Sequence, residues 1–351
     1  MSRDALRRVW LERQCEDRDI RIESASADAS FRRYFRVTLA SGETRIVMDA
    51  PPAHGDCRPF LRVAALFRDA GVHVPEVYAQ DLEQGFLLLS DLGDTTYLKR
   101  LDAASAPTLY GDANRALVDI QRASCPGVLP EYDRALLEGE LALFPEWYVA
   151  RYLGIALDAD QQAALRGVFA MLLDNALAQP RVFVHRDYHS RNLMVVGDTE
   201  PAEYPANPGI LDFQDAVFGP ITYDPVSLYR DAYIAWEEEQ ERDFVDQYRE
   251  MARQAGLPVG VDFDTFYRDY EWMGAQRQIK VIGIFARLSL RDGKDGYLKD
   301  IPRVMAYLRR TCARYPALTP MARLLDQLEE RGGEGFTPPR FQTPPRCVLS
   351  C

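Results

Sequence analysis

The stretch that most narrows what this chain can fold into is Val182 to Val196, VFVHRDYHSRNLMVV. Apolar runs at Val182-Phe183-Val184 and Leu193-Met194-Val195-Val196 bracket a polar segment, a pattern that reads as strand, loop, strand. The loop carries His185-Arg186-Asp187 and, five residues past the aspartate, Asn192. Twenty residues beyond Asn192, Ile210-Leu211 leads into Asp212-Phe213-Gln214-Asp215. This is an oxygen-rich set. One carboxylate can take a proton from an attacking hydroxyl, while an amide and a second carboxylate suffice for Mg²⁺, which prefers oxygen ligands and keeps several waters.

The spacing H-R-D-x-x-x-x-N followed by a strand-ending aspartate is that of the catalytic loop and metal position of kinase-type phosphoryl transfer. On this reading Asp187 is the candidate base, and Asn192 and Asp212 are the candidate Mg²⁺ ligands. A polar surface turn would account for His-Arg-Asp alone, but not for the full spacing followed by Leu-Asp-Phe.

Upstream, Asp4 to Gln14 has the apolar spacing of a short amphipathic helix, and alternating strands begin at Ile20 and span Tyr34 to Leu39. Between them Ser24 to Phe31, SASADASF, stands where a phosphate-covering loop belongs, with Ser30 and backbone N–H groups to meet phosphate; an ordinary hairpin reads equally well from these residues alone. Thr44 to Ala50 is a third strand, where a kinase carries its phosphate-pairing lysine, yet the first lysine of the chain is Lys99. The following helix, Arg58 to Ala70, has no glutamate to pair with one; Phe60 or Leu61 falls there. Losing both together is coherent, because a buried glutamate without its partner is costly. Arg32, Arg33 and Arg45 are the candidates to replace the lysine, with solvated surface arginines as the plain alternative. Phe86 to Leu89 then breaks into Ser90-Asp91-Leu92-Gly93, a hinge whose backbone at Ser90 and Leu92 suits the adenine edge of ATP.

From Thr95 onward the pattern is helical, with Ala135 to Tyr152 interrupted at Pro145-Glu146-Trp147-Tyr148. Glu146 and Trp147 suit the hydroxyls and ring face of a sugar, or simply core packing. Asp224, before Pro225, reads as a helix cap. The long helix Phe263 to Leu290 embeds Arg277, Lys280 and Arg287, which snorkel, pair with carboxylates or line an anion site. The expected division is an N-lobe over residues 1–92, a C-lobe over 93–331, and a Gly/Pro-rich tail over 332–351 that reads as disordered.

A net charge of −11 argues against nucleic acid and anionic membrane surfaces as partners. Six scattered cysteines without a C-x-x-C, no signal peptide and no spanning apolar run lead us to expect a cytoplasmic monomer with reduced thiols, acting on a small molecule.

Through His185, Asp187, Asn192, Asp212 and the GVHVPEV entry to the hinge, the chain resembles the aminoglycoside phosphotransferase family. Within it, DASFRRYFRV, VMDAPP, SDLGDTTYL, FPEWY, LDFQDAVFGPITYD and QRQIKVIGIFARL are similar to the anomeric amino-sugar kinases of bacterial cell-wall recycling. The resemblance implies a bilobal, protein-kinase-like α+β fold, with a small sheet-rich N-lobe and a larger helical C-lobe. It also implies ATP and Mg²⁺ as cofactors, and N-acetylmuramate and N-acetylglucosamine as acceptors at the anomeric hydroxyl. Glu146, Trp147, Arg277 and Lys280 are then the candidate acceptor contacts. An aminoglycoside or other small-molecule kinase of this fold, or a non-catalytic pseudokinase, are the alternatives.

Overall fold

The computed structural model describes residues 2–26, 32–197 and 207–331. Ser30, most of the Pro-rich loop before Asp212 and the tail after residue 331 lie outside the described residues. The order is α1 (Arg3–Gln14), β1 (Arg21–Ser26), β2 (Arg33–Thr38), β3 (Thr44–Asp49), α2 (Arg58–Asp69), β4 (Val77–Asp81), β5 (Phe86–Ser90), α3 (Tyr97–Arg100), α4 (Ala106–Arg122) and α5 (Arg134–Leu141). A π-helical segment, Phe144–Tyr152, precedes α6 (Ala159–Ala178) and the short strands β6 (Arg181–Val184), β7 (Leu193–Met194), β8 (Gly209–Ile210) and β9 (Val217–Pro220). Helices α7 (Tyr223–Tyr229), α8 (Glu238–Gln254), α9 (Phe263–Asp292), α10 (Ile301–Arg314) and α11 (Thr319–Arg331) complete the chain.

Two compact units form: Met1–Tyr132 with Pro180–Tyr229 and Glu237–Phe266, and Asp133–Gln179 with Arg230–Trp236 and Tyr267–Cys351. The first runs across the expected boundary after residue 92, since the N-terminal sheet shares it with the strands of the catalytic stretch.

In the first unit, the antiparallel sheet runs β1-β2-β3-β5-β4. Cross-strand partners point to the same side, so the register separates two faces. Arg33–Asp49–Phe86, Phe35–Val47–Leu88 and Val37–Arg45–Ser90 form one face; Tyr34–Met48–Leu87 and Arg36–Ile46–Leu89 form the other. Helix α1 is started by Ser2, whose hydroxyl accepts from the Ala5 N–H at 3.3 Å. Its Trp10 and Leu11 share a core with Val37, Val47, Phe86 and Leu88 and so cover the first face. Asp49, fully buried on that face, accepts hydrogen bonds from Arg3 Nε (2.8 Å), Arg7 Nη1 (2.9 Å) and Arg33 Nη2 (2.8 Å). Without such partners, taking this carboxylate out of water would cost several kcal/mol, on the order given for a buried ion. Gly85 (φ +71°) ends the β4–β5 turn where a Cβ would stand 1.9 Å from the Ala50 carbonyl oxygen, so no other residue fits.

In the second unit, α9 lies along α5 and the π-helical segment. Lys280 Nζ meets Glu140 Oε1 at 2.8 Å with both side chains buried. Gly283 admits Leu143, whose backbone carbon would stand 2.5 Å from an added Cβ. Deeper, Arg230 donates to Glu271 Oε1 (2.8 Å) and Thr311 Oγ1 (2.9 Å), while Tyr315 donates to Glu271 Oε2 (2.7 Å). Burial opposes the Glu271 charge, but Arg230 and the hydrogen bonds of Arg314 and Tyr315 outweigh it and lower its pKa. Among the described residues no helix is long and apolar enough to cross a membrane.

Candidate active site

The two strands of the catalytic stretch do not pair with each other. Strand β6 pairs with β9, and β7 with β8. The loop between β6 and β7 is thereby set against the segment that follows β8. His185 stands at its root, fully buried, with its Nε2 3.0 Å from the Leu211 carbonyl oxygen and its Nδ1 accepting the Asp187 N–H at 3.2 Å. The second contact requires a lone pair on Nδ1, so Nε2 carries the proton and donates to Leu211. Burial drives the His185 pKa down to about 4, against the pull of the nearby Asp187 charge, and the ring is neutral.

The loop's backbone is held by a residue that spacing did not reveal in this role. Asp224, fully buried, accepts the His185 N–H on Oδ2 (2.7 Å) and the Arg186 N–H on Oδ1 (3.0 Å). The sequence marked it as a helix cap. Instead it lies inside α7 and clamps the catalytic loop.

Asp187, Asn192 and Asp212 come together. Asn192 Nδ2 donates to the Asp187 carbonyl oxygen at 3.0 Å and lies 3.5 Å from Asp212 Oδ2; the Leu211 N–H donates to the Asn192 carbonyl at 2.9 Å. With Nδ2 so directed, Asn192 Oδ1 and the Asp212 carboxylate are hard oxygen donors of the kind Mg²⁺ takes, so the residues fit that ion. Among the described residues no three His, Cys, Asp or Glu side chains gather into a metal cage.

Both loops are bent by force. Arg186 (φ 76°) and Asp212 (φ 62°) are two of the three non-glycine residues in the left-handed region among the described residues, a conformation that persists where surroundings over-determine it. Arg186 Nη1 reaches the Asp215 carbonyl oxygen at 3.4 Å. Gln214 Nε2 donates to Asp212 Oδ1 (2.8 Å) and Asp215 Oδ2 (3.2 Å). Phe213 packs on Phe60 and Phe67 of α2, centroids 4.8 and 5.9 Å apart. Phe60, one of the two residues at the place of the kinase glutamate, thus makes an aromatic contact with the loop that carries Asp212.

At the hinge, Ser90 is tied to Glu76, its N–H donating to the Glu76 carbonyl and its hydroxyl accepting the Glu76 N–H, each at 2.9 Å. The Leu92 side chain joins Met194, Val196 and Leu211 in an apolar cluster missed in the sequence, although the NLMVV run was its signal. Arg36, on the sheet face away from α1, grips Asp91 in a fork at 2.6 and 2.9 Å and also donates to the Gly93 carbonyl.

Arg33 and Arg45 lie on the sheet face that α1 covers. Arg33 is held by Asp49; Arg45 donates to Glu43 Oε1 at 2.7 Å and lies over Tyr78 at 4.8 Å. Arg32 continues the parity of Tyr34 and Arg36, toward the other face. In the second unit, Arg151 donates to Glu146 Oε1 at 2.9 Å and stacks 3.9 Å over Trp147. Lys280 is paired with Glu140, and Arg277 is buried. Glu146 with Trp147 and Lys280 therefore belong to separate ion-paired groups of that unit.

Residues 21–259 match the phosphotransferase enzyme family, APH. The chain is 50% identical over 306 residues to the N-acetylmuramate/N-acetylglucosamine kinase of Pseudomonas aeruginosa, covering 87% of this chain and 88% of that one. It is 47% identical over 343 residues to the enzyme of that name from Neisseria meningitidis, covering 96% and 100%. Among solved structures it is similar to an ADP-bound aminoglycoside phosphotransferase APH(2'')-Ib (TM-score 0.56, 14% identity, 87% and 97% covered). It is also similar to a choline/ethanolamine kinase family protein from Mesorhizobium loti (TM-score 0.61, 13% identity, 93% and 100% covered). These structural likenesses concern the fold, which is the bilobal, kinase-like α+β arrangement with a small sheet and a larger helical part. Site geometry, fold and relatives converge: the chain belongs to the phosphotransferase enzyme family.

Proposed function

We propose that this protein is an ATP-dependent, Mg²⁺-requiring kinase that phosphorylates N-acetylmuramate and N-acetylglucosamine at the anomeric hydroxyl, yielding the sugar 1-phosphate for cell-wall amino-sugar recycling. The observation that carries the reading is the near-half identity, along almost the full length of both chains, to relatives named N-acetylmuramate/N-acetylglucosamine kinase. The gathering of Asp187, Asn192 and Asp212 supports the catalytic part.

In this reading residues 1–92 form the nucleotide lobe and residues 93–331 the catalytic and sugar-binding lobe, in a cytoplasmic monomer. Asp187 orients the sugar hydroxyl and accepts its proton, while neutral His185 and the Asp224 clamp hold the loop in shape. Asn192 and Asp212 hold Mg²⁺, which when bound offsets charge on the transferring phosphate. The hinge backbone from Ser90 to Leu92 meets the adenine edge, over the apolar cluster of Leu92, Met194, Val196 and Leu211. Of the three arginines expected to offset the triphosphate, Arg33 and Arg45 lie on the sheet face that α1 packs against, which favours Arg32 by its place in the chain.

For the acceptor, Glu146, Trp147 and Arg277 remain contact candidates, but Lys280 is neutralised by Glu140. Arg287 is a better partner for the lactyl carboxylate of N-acetylmuramate: its Nε is buried and meets no acceptor among the described residues. Burial and the neighbouring Arg291 push its pKa down, and Asp292 and Glu146 only partly oppose this. The test is phosphorus NMR of the product formed with Mg-ATP from each sugar, and from a panel of aminoglycosides. A 1-phosphate on both sugars is expected; a 6-phosphate, or phosphate on aminoglycosides alone, overturns the reading.

A further inference from the structure

We propose that Gln214 is a positioning residue for the metal-binding aspartate, its side-chain amide holding the Asp212 carboxylate in the orientation that meets a divalent cation. The inference rests on the reading of Asp212 as a metal ligand. Gln214 is only 5% exposed, and its single amide nitrogen donates to Asp212 Oδ1 at 2.8 Å and to Asp215 Oδ2 at 3.2 Å. One N–H serves each carboxylate, and this fixes the amide's direction, because the flipped form would set an oxygen against two carboxylates.

The other end of the amide makes the case. Gln214 Oε1 is buried and meets no donor among the described residues, a state that carries a desolvation cost. A methionine would fill the same space without that cost, so the glutamine is explained by what its nitrogen does. Asp212 is exposed and its backbone is in the left-handed region, and the Gln214 amide at 2.8 Å holds its Oδ1 more closely than Asn192 Nδ2, at 3.5 Å, holds its Oδ2. The amide also ties the carboxylate of Asp212 to that of Asp215. Outer partners of this kind tune metal affinity without touching the metal.

Gln214→Met keeps the length and removes both donors. Calorimetry of ADP binding, first in EDTA and then in Mn²⁺, reads the metal's share of affinity without turnover. The expected result is unchanged affinity in EDTA and a Mn²⁺-dependent gain reduced about 10-fold, within the range for outer-partner loss. The Mg²⁺ concentration for half-maximal turnover should rise by a similar factor, with the maximal rate recovered at high Mg²⁺, which a merely structural defect would not allow. Gln214→Asn, one methylene too short to bridge both carboxylates, carries the same test if Gln214→Met fails to fold. An intact gain in these variants, alongside a lost gain in Asp212→Ala, overturns the role of Gln214 alone. An intact gain in Asp212→Ala overturns the metal assignment and this role with it.

Discussion

Lowering the pH should loosen this fold through His185. The ring is fully buried, donates through Nε2 to Leu211 and accepts the Asp187 N–H on Nδ1, so a second proton would be forced against an N–H already pointing at it. Burial places its pKa at about 4 in the folded chain, against the ordinary histidine value of 6.5. The unfolded chain therefore binds the proton first. Stability from this group is complete above the unfolded value and is lost as pH falls from 6.5 toward 4. At about 1.4 kcal/mol per pH unit, the gap amounts to about 3 kcal/mol, a large share of a typical domain's stability. Urea unfolding would be followed from about pH 7.5 to about pH 4.5 in the wild type and in His185→Gln, which cannot titrate but keeps a donor and an acceptor. Carboxylates titrate in both proteins, so the difference between the two slopes isolates the histidine. The wild-type curve should fall more steeply, by about 2 kcal/mol at about pH 5. Parallel curves would refute the argument, as they would mean that His185 takes up its proton equally well folded and unfolded.

Three further outcomes follow from the geometry. Asp187→Asn should lower kcat by roughly two to four decades, the range for a positioned acid–base group, with little change in sugar binding by calorimetry; a variant keeping most of its turnover removes Asp187 from the role. Gly283→Ala should destabilise the second unit by about 1–3 kcal/mol, toward the upper end because the added Cβ meets Leu143 backbone that cannot swing aside; an unchanged denaturation midpoint contradicts that packing. Arg287→Leu should cost N-acetylmuramate about 1.5–3 kcal/mol in kcat/KM, as for a hydrogen bond to a charged group, and N-acetylglucosamine far less; equal losses for both sugars count against Arg287 as the anion partner.

What the sequence disclosed was whatever is local. Asp187 and Asn192 are read from one short loop and Asp212 from the end of one strand, and the helices and strands follow their periodicities to within a few residues. Asp224 was read as a helix cap and its actual task was missed, because its partners stand 39 and 38 residues away and no local pattern encodes that meeting. The two strands of the catalytic stretch were legible as strands, but their partners, β9 and β8, lie outside that stretch and no local pattern encodes them either. For Arg33 and Arg45 the alternation was legible, but which face a helix would cover was not; that was decided by Trp10 and Leu11 finding Val37 and Val47. Ala135 to Tyr152 read as one interrupted helix, whereas Pro145 falls where α5 gives way to a π-helical segment.

The β3 strand has a corollary for chemical labelling. Acylating nucleotide analogues tag kinases by transferring their reactive group to the amine on this strand, yet here Thr44 to Asp49 carries no lysine. The chain's lysines begin at Lys99, whose Nζ is bound to the Asp94 carbonyl at 2.6 Å, and Lys280 is buried against Glu140. The cysteine at the head of α2, Cys57, is no substitute, because burial raises its pKa and withholds the thiolate. A nucleotide probe aimed at an amine on β3 would thus pass over a working enzyme, and its occupancy in cells is better followed by affinity capture or by product.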